Sequence, residues 1–393
     1  MSIFVYRNSS PHEPVSGPLE GKSVAVQPNL SVRGWPAGAG SAALSGYTAI
    51  EDATIVSRLR NAGAILTGAT GMSEFGLGLA DDTAAFALVQ EEAGFAIVLD
   101  LLGEARLAAA RAGFFGYKPT AGIVSRYGLI GLMPSLESPG LIGRSPDEIR
   151  SVLAVIAGAD ERDQAMHRGP VPDFSQTYSE QPIRTVGFAE EALSSLKSHE
   201  AAIFKEGISL VGDAGIDVEE IQLPALEEFA LVHRVVGAVE ASSSCGKFDG
   251  VRYGHRAGGA RNWNEMYIKT RAESFGPLIK KLLFQGSYFQ FENYAAFENA
   301  ARVRARLHHE AERLFSGLDI LILPVSGSDI EGEATGAIAS IYRSGMFTLP
   351  ANVLGLPAVS LPGPGAGLQL VGPPLSDSRL LTLADRLFSI VKG

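Results

Sequence analysis

A single cysteine, Cys245, rules out an internal disulfide framework and any metal cage built on thiolates. Charge is also scarce. Asp, Glu, Lys and Arg make up 19% of the chain and balance at -10, which disfavours indiscriminate adhesion to nucleic acid, because phosphate neutralisation needs Lys and Arg. No window approaches the roughly 18 apolar residues of a membrane span, and Met1-Ser2-Ile3-Phe4-Val5-Tyr6 lacks the charged-then-apolar build of a secretory leader. There is no internal repeat, no low-complexity tract and no metal motif. His308-His309-Glu310 lacks the His-Glu-x-x-His spacing of zinc hydrolases. These absences predict a cytoplasmic protein without a bound metal, a cofactor or a membrane or nucleic-acid partner.

What is present is a large apolar content spread evenly. Of 393 residues, 46% are hydrophobic, enough to bury a sizeable core, and the 45 glycines and 21 prolines punctuate the whole length as turns do. Val24 to Val26 reads as a short strand, Thr48 to Ala62 as an amphipathic helix stopped by Gly63, and Ala64 to Thr67 as a strand again. Ser145-Pro146-Asp147-Glu148 carries an N-cap serine, proline at the first helical position and glutamate three residues after the serine, so a helix runs from there to Gly158. Later segments continue the alternation. Strands are expected at 184–188, 218–222, 318–323, 358–361 and 368–371, and helices at 198–214, 294–315 and 377–391. The fold class is therefore α/β, with a sheet covered on both faces by helices.

Several runs carry a resemblance. Gly21-Lys22-Ser23-Val24-Ala25-Val26-Gln27-Pro28-Asn29, Gly116-Tyr117-Lys118-Pro119-Thr120, Ser125-Arg126-Tyr127-Gly128-Leu129, Phe248 to Arg256, Thr270 to Gly276, Phe347 to Ala358 and Gly367 to Gly372 are spread over most of the chain. Together they resemble the amidase signature family, and within it the A subunits of glutamyl-tRNA(Gln) amidotransferases. The resemblance implies a mixed central β-sheet in one domain spanning 1–393, with 240–300 as a smaller subdomain over the former active-site cleft. It also implies that the family's N-terminal helical segment has no counterpart here, since Gly17-Pro18-Leu19-Glu20-Gly21 already corresponds to the entry into the core.

The family's chemistry does not carry over. The resemblance places Gln27 where the family has a lysine base and Glu104 where it has the nucleophilic serine. The register runs Asp100-Leu101-Leu102-Gly103-Glu104-Ala105-Arg106 back from Lys118. Ala87 to Leu99 replaces the stretch that supplies the bridging serine and contains no serine at all. Gly345 falls where the family's amidotransferases hold the substrate amine with an aspartate. With it, Arg252 and Tyr253 are the resemblance's candidates for the substrate side of the cleft. Nucleophilic catalysis needs an activated group beside a base and donors already aimed at the oxyanion. Glutamine accepts no proton at neutral pH, and attack by a glutamate gives an anhydride. Loss of one triad member removes acceleration on the order of 10⁴-fold.

The leading expectation is thus a catalytically inactive protein used for binding or scaffolding. Two alternatives stay open. One is a hydrolase with a rebuilt site using Asp100 and Glu104, which as a helical pair four apart would share a face and act as acid and base or hold a metal. The plainer reading of that pair keeps Asp100 as a structural residue and Glu104 solvated or paired with Arg106. The other alternative is a structural A subunit in an amidotransferase complex. Partners left open are a small molecule, a protein, amidotransferase-type subunits or a second copy of the chain. Phe114, Phe115 and Leu101 are candidates to fill the emptied cleft.

Three weaker patterns are set aside. Gly38-Ala39-Gly40-Ser41-Ala42-Ala43 mimics a dinucleotide fingerprint but lacks the acidic residue about 20 positions on. Ser242, Ser243, Ser244, Asp249 and His255 lie close in sequence, which is not how triads assemble. From Lys247 to Lys281 there are eight Lys or Arg against three acids, a net of +5. That run is expected to form local salt bridges holding a loop-rich subdomain over the cleft, or to face an acidic partner or RNA.

Overall fold

Among the described residues, short and mostly apolar runs supply eleven strands to one sheet. In chain order they are β1 (Phe4–Arg7), β2 (Ser23–Val26), β3 (Ile65–Thr70), β4 (Phe95–Asp100), β5 (Phe115–Lys118), β6 (Ser138–Gly143), β7 (Thr185–Phe188), β8 (Asp217–Glu220), β9 (Ile320–Pro324), β10 (Ala358–Leu361) and β11 (Leu368–Val371). Across the sheet they run β1-β3-β2-β4-β6-β5-β10-β11-β9-β7-β8. The sheet is mixed: β2 lies parallel to β3 and β4, and β7 parallel to β8 and β9, while β4, β5, β10 and β11 pair antiparallel around β6 and β9. The computed structural model describes residues 2–10, 15–79, 81–175, 182–194, 196–326, 338–363 and 367–392.

The helices are α1 (Thr54–Asn61), α2 (Thr83–Val89), α3 (Glu104–Ala112), α4 (Pro146–Ile156), α5 (Glu190–Ser194), α6 (Ser198–Asp213) and α7 (Leu226–Ser244) in the first part. They continue as α8 (Trp263–Ser274), α9 (Pro277–Phe291), α10 (Tyr294–Phe315), α11 (Ile338–Ser344), α12 (Leu349–Leu354) and α13 (Asp377–Lys392). Strand alternation sends them to both faces. In β9, Ile320 and Ile322 join a core with α1, α4, α6 and α13, whereas Leu321 and Leu323 join another with α7, α9, α10 and α12. A mixed sheet with helices on both faces is what the sequence led us to expect. No helix among the described residues is long and apolar enough to cross a membrane.

Local signals hold where they are strong. Ser145 Oγ accepts from the Glu148 N–H at 3.1 Å, with Pro146 opening α4. The helix expected from Thr48 starts only at Thr54, because Thr48 bridges to Pro36 and Ala49 exchanges backbone hydrogen bonds with Gly34 and Trp35. Ala53 is extended, and its N–H goes to the Ser31 carbonyl. Part of the basic run is paired locally: Glu265 pairs with Arg261 and Lys269, Asp249 with Arg252, and His255 with Glu273.

Candidate functional site

The site expected from the sequence lies where β4 ends and α3 begins. Asp100 is the last residue of the strand, Glu104 the first of the helix, and Gly103 between them holds φ 108°. Only glycine fits there: a Cβ on Gly103 would come within 2.4 Å of the Thr348 side chain. This turn points successive N–H groups the same way, and two of them converge on one atom. The backbone N–H groups of Leu101 and Leu102 donate to Glu104 Oε2, at 2.6 and 2.7 Å. Paired amides beside a helix N-terminus form an anion-binding nest. Here the nest is filled by the chain's own side chain.

The other oxygen fares differently. Glu104 Oε1 is fully buried and has no hydrogen-bond partner among the described residues. Burial, and then the negative charge of Asp100, raise the Glu104 carboxyl to about 8 against the pull of the nest amides.

The carbonyls of the same turn are also taken. The Asn352 amide donates to the Asp100 carbonyl at 3.1 Å, and His233 Nε2 lies 2.9 Å from the Leu101 carbonyl. Thr348 Oγ1 donates to the Leu102 carbonyl, and the Leu107 N–H to that of Gly103 at 2.8 Å. Each backbone carbonyl from 100 to 103 thus has a donor from within the chain.

Gln27 sits just past β2. The ladder between β2 and β4 ends at Val26 opposite Ile97, which leaves the Leu99 N–H without a backbone acceptor from β2. Gln27 Oε1 accepts it at 2.8 Å. The glutamine therefore adds a rung to the sheet, a role that requires an acceptor and that a lysine has no atom to perform.

Asp100 does not share a helix face with Glu104, as the paired-carboxylate reading requires. It is a strand residue whose carboxylate meets Arg106, Oδ1 to Nη2 at 2.8 Å and Oδ2 to Nε at 3.1 Å. The remaining Arg106 donors reach the Thr348 carbonyl, Gln369 Oε1 and Asn352 Oδ1 at 3.0, 2.5 and 2.6 Å. Burial would raise the Asp100 carboxyl, but the Arg106 guanidinium and the Asn352 amide outweigh it and hold the group below the usual carboxylate range. Arg106 therefore belongs to Asp100, and the expected Arg106–Glu104 pair or solvated Glu104 is corrected. No group of three or more His, Cys, Asp or Glu among the described residues could hold a metal.

A buried lysine lies one layer deeper. Lys118 donates to the carbonyls of Pro119 and Leu356 at 3.0 and 2.8 Å, and burial lowers its ammonium to about 7. These partners are carbonyls, not a serine hydroxyl.

His233, which the sequence reading missed, roofs the turn from α7. Its only signal was a lone polar residue on an otherwise buried helix face. Leu101 O can only accept, so Nε2 carries the proton and Nδ1 accepts from the Tyr342 hydroxyl at 2.9 Å. Burial lowers the imidazole to about 4. A histidine whose pKa falls on folding costs stability once the unfolded chain protonates, so its contribution is lost as pH falls from about 6.5 towards 4. We expect His233→Gln to flatten the acid limb of the stability profile over that window, by on the order of 2 kcal/mol, read from urea midpoints at pH 7 and pH 4.5.

Other expected residues scatter. Gly345 is at the site: its carbonyl accepts from the Thr348 backbone N–H at 2.9 Å, and a Cβ there would lie 3.1 Å from the Leu102 carbonyl. Arg252 instead pairs with Asp249 and lies over the Tyr253 ring, which packs edge-on against Tyr47 and Phe248. Leu101 is fully buried, together with Leu102, in a cluster with Phe75, Leu79, Met133 and Val232. Phe114 and Phe115 do not join it. Phe114, just before β5, lies beneath Arg144 and packs against one core, while Phe115 packs edge-on against Phe388 in another. Ser242 contacts Ser287, and His255 contacts Glu273, so no Ser-Asp-His triad forms.

The turn's setting has relatives. The sequence profile of the Amidase family matches residues 6–91 and 84–381. The A subunit of glutamyl-tRNA(Gln) amidotransferase from Symbiobacterium thermophilum is 34% identical, over 94% of this chain and 82% of that protein. The subunit of the same name from Natronomonas pharaonis is 33% identical, over 94% of this chain and 96% of its own. Among solved structures, that subunit from Thermotoga maritima superposes with a TM-score of 0.79 at 25% identity, covering 97% of this chain and 86% of that one. A 6-aminohexanoate cyclic dimer hydrolase gives the same TM-score at 21% identity and so shares the fold. By sequence over nearly its whole length, the chain belongs to the amidase family.

Proposed function

We propose that this protein is a catalytically inactive member of its family that works by binding or scaffolding. The observation that carries the reading is the Glu104 carboxyl group on the Leu101 and Leu102 amides. Two convergent N–H groups at a helix N-terminus are what a developing oxyanion needs. An acyl-transfer step would have to expel the Glu104 side chain from them first. Gln27 supports the same reading, since its side chain is committed to the sheet and offers no basic atom. Glu104 as a nucleophile would give a mixed anhydride at a position where no serine relay stands nearby in sequence.

The relatives above are named as subunits of an amidotransferase, so subunits of that type are the partners we propose to look for. Co-purification from the native host followed by mass spectrometry tests this.

For the chemistry, we expect the purified protein to hydrolyse glutamine, asparagine and a simple arylamide no faster than a Glu104→Ala control. We expect the double variant Gln27→Lys/Glu104→Ser to stay within about tenfold of that background, because the bridging hydroxyl is still missing. Turnover by the native chain that disappears in Glu104→Ala would overturn the proposal and favour a hydrolase rebuilt on this carboxylate.

A further inference from the structure

Helix α9 carries an aromatic stripe that the fold leaves uncovered. Its inner face, Ile279, Leu282, Leu283 and Gly286, is buried. Gly286 lies so close to α7 that a Cβ there would sit 1.9 Å from the Ala238 carbonyl. The outer face shows Phe284, Tyr288 and Phe291, with 76%, 52% and 80% of their surface exposed. At about 100° per residue, these three rings fall within about 60° of one another, in a single file about 10 Å long. Exposed apolar groups in such a file mark a contact surface.

The charges beside the stripe indicate what covers it. Taking Phe284 as the origin, Lys281 lies about 60° and Glu292 about 80° round the same flank. Glu292 caps the helix with helical backbone angles, so the periodicity extends to it. No ion pair among the described residues engages Lys281 or Glu292. On the other flank, Lys280 is already engaged by the Ala272 carbonyl at 2.5 Å.

We infer that α9 is a self-complementary surface that pairs antiparallel with α9 of a second copy of this chain. The midpoint between Phe284 and Phe291 falls at position 287.5, and that between Lys281 and Glu292 at 286.5, about 1.5 Å apart along the axis. A two-fold axis there sets Phe284 of one copy against Phe291 of the other. Such an axis reverses helix direction while keeping like flanks together. Lys281 of each copy then faces Glu292 of the other, and two ion pairs flank an aromatic seam. This is the isologous arrangement of a two-fold dimer, with paired charges fixing the register as they do beside coiled-coil seams. The three rings expose on the order of 400 Å², about half of what a standard interface takes from each partner, so the dimer is concentration-dependent.

Sedimentation velocity on the full chain, from about 1 to 300 μM, spans the affinities such an interface gives. The native protein is expected to move from monomer to dimer across that range. Phe284→Glu/Phe291→Glu should remain monomeric with an unchanged circular dichroism spectrum. Lys281→Glu should weaken the dimer at least tenfold, and Lys281→Glu/Glu292→Lys should restore it. A native chain that is monomeric throughout overturns the inference. So does a dimer indifferent to Phe284→Glu/Phe291→Glu, or a charge swap that fails to restore association. A monomer that gains mass only with acidic lipid vesicles or another protein assigns the stripe to that occupant instead and equally overturns it.

Discussion

Replacing Arg106 with methionine lowers the stability of the protein by about 3–5 kcal/mol, because the Asp100 carboxylate is left buried without its counter-charge. The geometry makes this position severe. Both side chains of the pair are fully buried, and the guanidinium also serves the Thr348 carbonyl, Gln369 Oε1 and Asn352 Oδ1. Methionine fills much of the volume but donates nothing, so three further acceptors lose a partner. Removing the charge on the other side as well should recover part of the loss. The double variant Asp100→Asn/Arg106→Met is expected to melt above Arg106→Met, since a neutral amide in that place costs less than an orphaned carboxylate. Scanning calorimetry on the three proteins at one pH checks the order. A double variant melting below the single would show that Asp100 is not the source of the penalty.

Raising the pH from about 5.5 to about 8.5 weakens the native protein relative to Glu104→Gln by on the order of 3 kcal/mol. The direction follows from proton binding. The Glu104 carboxyl titrates near 8 in the folded chain and near 4.5 in the unfolded one, so between those values the folded state holds the extra proton. Its stabilising effect is complete below about 4.5 and disappears as pH climbs through about 8. Glutamine keeps an acceptor oxygen for the Leu101 and Leu102 amides and does not titrate. Lys118 acts in the opposite sense, since an ammonium lowered to about 7 makes the folded chain gain stability as pH rises above that point. Both proteins carry Lys118, so the difference between them isolates Glu104. Urea midpoints at the two pH values provide the measurement, and a pH-independent difference would refute the assignment.

The parts of this fold that were legible in the sequence are those decided locally. Helix α10 matched its expected bounds, Tyr294–Phe315, because a 22-residue stretch with a regular apolar stripe has little competition. Strands β10 and β11 were equally plain, each a short apolar run set off by glycine and proline. The start of α1 was misplaced because residues 48–53 direct their hydrogen bonds to the chain at 31–36, a contact that periodicity does not encode.

The site was half legible. Which residue types stand at 27 and 104 can be read directly, but what they do cannot. Glu104 looked solvated or paired with Arg106 because the left-handed turn at Gly103 is invisible to spacing. The Asp100–Arg106 pair is completed by Asn352 and Gln369, which lie 246 and 263 positions beyond Arg106. Nothing in the local sequence around His233 announces the two hydrogen bonds that fix its tautomer.

Gln27 closes a door as well as a ladder. Exchanging it for lysine puts back a base but strips the Leu99 amide of its acceptor at the strand end that positions the turn. Changing Glu104 to serine frees the two amides but deletes the acceptor oxygen that now holds them in place. Each backward step taken alone undoes a contact the present architecture leans on. Any exchange of these two side chains for lysine and serine therefore passes through a variant that has lost a contact, whichever is changed first.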